Sequence, residues 1–164
     1  MTSEPSNRVT PDMLPDRKRP AHTPNVERFN QPIIIFLTVC TKNRQPFLAN
    51  DRAHEALKLA WSRAGQYRTG HYVIMPDHLH LFCSPVSRQS EMVMKWAAYW
   101  KRMVSIQLPD IKPLWQRDGW DTQLRHISHY SEKWNYVRNN PVRKGLVKNA
   151  DDWPYQGCLT ELRW

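Results

Sequence analysis

Paired cysteines are missing from this chain: its three, Cys40, Cys83 and Cys158, stand apart and make no Cys-x-x-Cys. That excludes a disulfide framework, fits a reducing compartment, and leaves the thiols as packing residues rather than ligands. Long apolar runs are missing too. The longest, Ile33 to Cys40, is too short to cross a bilayer, and the N-terminus lacks the apolar core of a signal peptide. The expectation is a cytoplasmic protein with no membrane association. Acidic residues are scarce, 15 against 24 Lys plus Arg, for a net charge of +9. This excess also fits a merely soluble basic surface, but it points towards a polyanion. With no dominant basic amphipathic helix, nucleic acid is favoured over lipid.

What is present divides into three stretches. Residues 1–30 are rich in charge and polar residues, with Pro5, Pro11, Pro15, Pro20 and Pro24 spoiling any helix, and read as a disordered basic arm. Residues 31–150 carry the periodic pattern of one domain, and 151–164 form a tail that reads as a lid docked by Trp153. Ile33 to Thr41 is apolar on both faces, as in a central strand. Asp51 is placed to cap a helix in which Ala53, Ala56, Leu57, Ala60, Trp61 and Ala64 recur at helical spacing. A hairpin follows, Gly70 to Met75 and His78 to Ser84 about a Pro76-Asp77 turn, with Pro85 breaking the sheet.

Residues 89–108 place Met92, Trp96, Trp100, Met103 and Val104 on one helical stripe and leave Lys95, Lys101 and Arg102 wet. Asp118-Gly119 reads as a turn before a short strand, Trp120 to Leu124. The order βαββαβ gives the α+β class: a ferredoxin-like antiparallel sheet with both helices on one face, leaving the other face for function. A last helix, His129 to Asn139, has Ser128 as candidate cap and Pro141 to end it. No internal repeat is found.

Two constellations carry chemistry. Strand alternation puts His78, His80 and Phe82 on one face and Leu79, Leu81 and Cys83 on the other, so two imidazoles can chelate one ion. In the last helix Tyr130, Trp134 and Val137 form the apolar stripe. Tyr136 lies about 120° away from it, on a flank with His129, Lys133 and Asn140. Tyr136 therefore faces something polar, while Tyr130 takes the core role.

Four motifs in order, Met75-Pro76-Asp77-His78-Leu79-His80, Leu114-Trp115-Gln116-Arg117, the run from Glu132 to Val147, and Asp152-Trp153-Pro154-Tyr155, resemble the REP-associated tyrosine transposases. These belong to the single-tyrosine, His-hydrophobe-His nuclease superfamily. The resemblance covers about residues 31–157. It implies a ferredoxin-like domain, with its catalytic tyrosine on the C-terminal helix, that cleaves and rejoins single-stranded DNA beside a hairpin. By position, Tyr136 is then the nucleophile, with His78 and His80 two ligands of a divalent metal and Asn140 the third. A histidine that often follows the aromatic-acid pair of family members is replaced here by Thr122, after Trp120-Asp121.

The chemistry agrees. Cutting a phosphodiester needs a cation on the non-bridging oxygens and a positioned attacking oxygen. Two imidazoles and an amide suit Mn²⁺ by softness, with Mg²⁺ the more abundant choice. A phenol with pKa near 10 is about a thousandfold under-ionised at neutral pH, so an activator is required. Lys133, one turn before Tyr136, is the candidate, with His129 its rival. Lys42, Arg44, Lys95, Lys101, Arg102, Arg117 and Arg143 are candidate contacts to DNA phosphates. The eight tryptophans are mostly core, with Trp120 and Trp164 left open as stacking platforms. A monomer or homodimer acting on a hairpin is expected. The alternatives are a non-catalytic hairpin or single-strand binding module on the same fold, and a relaxase or replication initiator. A two-histidine hydrolase would need an acidic base, for which only Asp77 is at hand.

Overall fold

The computed structural model describes His22 and residues 32–164; the arm read from residues 1–30 otherwise lies outside the described residues. Five strands, β1 (Ile34–Thr41), β2 (Tyr67–Ile74), β3 (His78–Pro85), β4 (Trp115–Leu124) and β5 (Gln156–Cys158), form one sheet in the order β4-β1-β3-β2-β5. Every neighbouring pair is antiparallel. Helices α1 (Asp51–Arg63) and α2 (Val93–Gln107) cover one face, while α3 (Ile127–Arg138) and the single turn α4 (Asn140–Arg143) lie on the other side. The first four strands and two helices are the ferredoxin-like βαββαβ unit expected. Among the described residues no helix is long and apolar enough to cross a membrane.

Alternation builds both cores. Ile35, Leu37, Val39, Leu79, Leu81 and Cys83 point at α1 and α2, where Leu57, Trp61, Trp96, Trp100 and Val104 close the layer. Ile34, Phe36, Val73 and Phe82 point the other way, under Val137, Trp153 and the partly buried Tyr130 and Trp134. Fully burying one such large apolar side chain contributes about 1.5 to 3 kcal/mol, so the two layers together fix which way each strand faces.

Several boundaries differ from the sequence reading, each for a local reason. Asn50, not Asp51, caps α1: its side-chain oxygen accepts from the Ala53 N–H at 2.9 Å. His126 precedes the first turn of α3 in place of Ser128, and Pro141 opens α4 instead of ending a helix, since a first-turn proline loses no hydrogen bond. Asp118-Gly119 is no turn but the middle of β4, which pairs with β1 from Trp115 to Leu124 across a bulge at Val39/Thr41. Pro85 ends β3 as its last residue, opposite Tyr67. The tail is a sheet edge rather than a lid: β5 pairs with β2, and the Trp153 indole N–H donates to Ile74 O at 2.9 Å. Met92 is exposed ahead of α2.

Lys101 is the largest departure. It sits between Ala97 and Val104 on the buried stripe of α2, 8% exposed, and donates to the carbonyls of Gln116 at 2.9 Å and Arg117 at 3.2 Å. Burial lowers its pKa. It clasps the start of β4 to α2 and is not available to a phosphate. On the same strand His22 reaches Asp118 at 2.7 Å and also Asp121.

Gly119 on β4 pairs with Val39 of β1 with no room for a side chain. A Cβ there would meet Thr38 O at 2.7 Å and Met94 Cε at 3.3 Å. The carbonyl belongs to the central strand and has nowhere to move. Gly119→Ala is expected to cost about 1 to 3 kcal/mol of stability, read as a lower urea midpoint with unchanged m-value. An unchanged midpoint would show that the strands separate freely here.

Candidate active site

The β1–β3 register lines up Phe36 with Phe82, Thr38 with His80 and Cys40 with His78. β4 extends two of these rows by placing Trp120 beside Thr38 and Thr122 beside Phe36. The two histidines are buried, 1% and 0% exposed, with ring centroids 4.9 Å apart. Each is held through its Nδ1. His78 Nδ1 lies 2.7 Å from Asp77 Oδ1, and His80 Nδ1 lies 2.8 Å from Thr38 Oγ1. Phe36 stacks on His80, with centroids 5.3 Å apart and planes at 15°.

These surroundings set the charge states. Burial pushes the Asp77 carboxyl up, but the hydrogen bonds and charges of His78 and Arg44 outweigh it and bring it down to about 2. Burial first, then the charges of His78, Lys133, Arg44 and Arg143, drives the His80 pKa well below its usual value. His80 is therefore a neutral imidazole at neutral pH, the form that ligates metals. Its buried Nε2 has no hydrogen-bond partner among the described residues.

α3 and α4 bring the remaining candidates over this row. Asn139, at φ −88° and ψ 0°, joins them, and Asn140 follows, 1% exposed. Arg143 folds back: its Nη2 donates to Tyr136 O at 2.6 Å and also to Asn140 Oδ1, while its guanidinium carbon lies 3.7 Å from the Tyr136 ring centroid. Tyr136 is thus gripped at ring and backbone. Lys133 extends across the sheet, its Nζ 4.9 Å from the Phe36 centroid, and burial lowers its pKa.

The residues fit a weakly held divalent ion. Two neutral-capable imidazoles on one face, each oriented through Nδ1 by a carboxylate or a hydroxyl, are the usual arrangement of ligating histidines. Asn140 Nδ2 is also buried and has no hydrogen-bond partner among the described residues. Its Oδ1 is engaged by Arg143, so ligation by that oxygen requires the amide to turn over and leave the guanidinium. Among the described residues no group of three His, Cys, Asp or Glu side chains that could hold a metal occurs.

A cleft of about 520 Å³ opens beside the row between β4 and α3, lined by Thr122, Gln123, Leu124, Arg125, His129, Glu132, Lys133 and Tyr136. It gathers His129, Lys133 and Tyr136 of the flank read from the helix, without Asn140, together with Glu132 of the same motif, and adds Gln123 and Arg125, which no motif had singled out. The basic candidates scatter. Arg117 is exposed on β4 and Lys42 in the turn after β1, whereas Lys95 and Arg102 lie on α2, in the layer opposite the histidines. Arg44 is ion-paired with Asp77 at 2.7 Å. Thr38 and Phe36 were missed although alternation along β1 puts them on the histidine face; that they adjoin His80 depends on register. Tyr130 is a core tyrosine, as expected. Its hydroxyl is 2.8 Å from His71 Nδ1, and burial first, then Cys158 and Glu161, push it up to about 12.

No family model matches the chain. A REP-associated tyrosine transposase of Escherichia coli (strain K12) is 25% identical over 124 residues, 73% of this chain and 73% of its own length. A Haemophilus influenzae protein named for the same family is 24% identical over 146 residues, 79% of this chain and 82% of its own. Among solved structures, a REP-associated tyrosine transposase bound to a REP hairpin matches the fold with a TM-score of 0.66 at 22% identity, covering 82% of each chain. In sequence and in fold, this chain is similar to the REP-associated tyrosine transposases.

Proposed function

We propose that the chain binds a DNA hairpin and cleaves and rejoins the adjoining single strand through Tyr136, with a divalent metal, Mn²⁺ or Mg²⁺, held by His78 and His80. The observation that carries this reading is one sheet face on which two buried imidazoles, tied through Nδ1, lie on the side covered by α3, with Tyr136 and Lys133, and by α4, with Arg143. Hairpin binding is supported by likeness to a protein whose structure holds a REP hairpin.

In the proposed reaction the Tyr136 hydroxyl, giving up its proton, attacks the scissile phosphorus. The bond from phosphorus to the 3′-oxygen breaks, leaving a 5′-phosphotyrosyl link and a 3′-oxygen that takes a proton from solvent to become a 3′-hydroxyl; attack by a 3′-hydroxyl reverses the step and rejoins the strand. Bound metal supplies Lewis-acid neutralisation of the non-bridging oxygens. Arg143, over the ring, restricts its rotation and adds positive charge beside the attacked phosphate. Lys133 takes the phenolic proton: its burial favours the neutral amine at a lower pH than for a solvated lysine. In this reading the cleft between β4 and α3 receives the single strand, and Arg125 in its lining meets a phosphate.

Three outcomes are expected. Tyr136→Phe abolishes cleavage of a hairpin with a single-stranded flank and leaves its binding within a few fold; wild-type binding without cleavage in any divalent metal would instead favour a non-catalytic binding module. His80→Ala lowers Mn²⁺ affinity and cleavage by orders of magnitude, Asn140→Ala less so. Full activity after exhaustive chelation would remove metal from the mechanism. Lys133→Met slows cleavage about 10- to 100-fold near neutral pH with little change in DNA affinity, a barrier increase of about 1.4 to 2.7 kcal/mol. Since the lowered pKa makes the wild-type amine neutral earlier as pH rises, the gap should narrow at alkaline pH, where a phenol ionises unaided. A parallel pH profile for the two proteins would leave Lys133 as surface charge.

A further inference from the structure

The turn after β1 carries a conformation that its residues do not favour. Asn43 and Arg44 both have left-handed backbone, φ 53° and 56°. One such residue is common at an Asn, but a neighbouring arginine pays for its Cβ. Glycine would sit at position 44 without strain, so what arginine provides there is its side chain.

That side chain bridges to the histidines. Arg44 Nε donates to Asp77 Oδ2 at 2.7 Å and Nη1 to Cys40 Sγ at 3.2 Å. Asp77 turns its other oxygen, Oδ1, to His78 Nδ1 at 2.7 Å. A carboxylate only accepts, so Nδ1 carries a proton, and in the neutral ring the lone pair then falls on Nε2. Arg44 Nη2, 3.4 Å from the same Nδ1, then makes a close approach rather than a donated bond, because a guanidinium has no acceptor to offer. The backbone is fastened in the same direction: the Thr41 N–H and hydroxyl reach Asp77 O at 2.9 and 3.0 Å, and the Leu48 N–H reaches Pro76 O at 2.9 Å. Asp77 is thereby fixed at both ends before it meets His78.

We infer that Arg44 is a positioning residue that acts through Asp77 to fix the tautomer and ring orientation of His78, and is not a DNA contact. Its use in metal binding rests on the proposed reading of His78 as a ligand; its effect on the ring does not. The planar fork of arginine engages Asp77 and Cys40 at once, which a lysine ammonium would do less well.

The test uses the full chain without DNA. Nitrogen-detected NMR of the imidazole rings at one pH reads the His78 tautomer, and Mn²⁺ titration followed by the free-ion electron paramagnetic resonance signal reads affinity. Wild type should show His78 locked with the proton on Nδ1. Arg44→Gly, which relieves the backbone, should keep the fold but mix the tautomers and weaken Mn²⁺ binding about 10-fold, the lower end for loss of a supporting partner. Arg44→Lys should recover part of both, and Asp77→Asn should mix the tautomers on its own, an arm that stands if the glycine variant folds poorly. An unchanged tautomer in Arg44→Gly overturns the inference, and weakened hairpin binding alongside it would reassign Arg44 to phosphate. If wild type and His78→Ala take up Mn²⁺ alike, the ligand reading fails, and the tautomer alone decides the role of Arg44.

Discussion

Because side chains alternate along a strand, a slip of one residue between β1 and β3 would turn His78 and His80 into the helix layer and push Leu79 and Leu81 out of it. The hydrophobic residues forbid that slip. Leu79, Leu81, Cys83, Leu37 and Val39 have to meet Trp61, Trp100 and Val104, and the polar row is what this requirement leaves on the far side. Thr38 opposite His80 and Cys40 opposite His78 follow from the same register. The neutrality of His80 follows in turn, since only a site sealed by Phe36 and covered by α3 withholds water from it. Packing in one layer thus sets the electrostatics of the other.

The helix over this row is arranged differently. α1 and α2 lie by their apolar stripes, whereas α3 rests its stripe on Phe82 and His71 and turns its Tyr136 flank to the cleft beside β4. Arg143 compensates for the missing packing by laying its guanidinium on the Tyr136 ring and bonding its carbonyl. The short break at Asn139 makes this possible: it turns the chain so that a residue seven positions later folds back on the tyrosine.

Much of this was legible from periodicity. The two-residue alternation of β3 and the helical spacing of α1 and α2 named the layers, and the off-stripe position of Tyr136 named the flank. β4 was only half legible, because an edge strand is stabilised by backbone pairing and can carry Gln, Arg and Asp, so Asp118-Gly119 looked like a turn. Lys101 was legible but misread: its neighbours one turn away, Ala97 and Val104, are buried, and a cation on that stripe can stay only if carbonyls receive it, as those of Gln116 and Arg117 do. Arg44 was read only as a phosphate contact; its ion pair with Asp77 left no trace, since a left-handed turn without glycine has no signature in composition.

The unequal anchoring of the helices bears on how the molecule breathes. α2 buries Val93, Trp96, Ala97, Trp100, Lys101 and Val104, whereas Val137 alone is buried in α3. Opening free energy scales with the apolar surface re-exposed, so α3 belongs to the low end of the molecule's stability spectrum and α2 to the high end. Local detachment of the tyrosine helix would leave Thr38, His78 and His80 in their rigid strands. Tyr136 and the histidine row therefore sit on opposite sides of a mechanical seam, one able to lift and reseat while the other holds its shape.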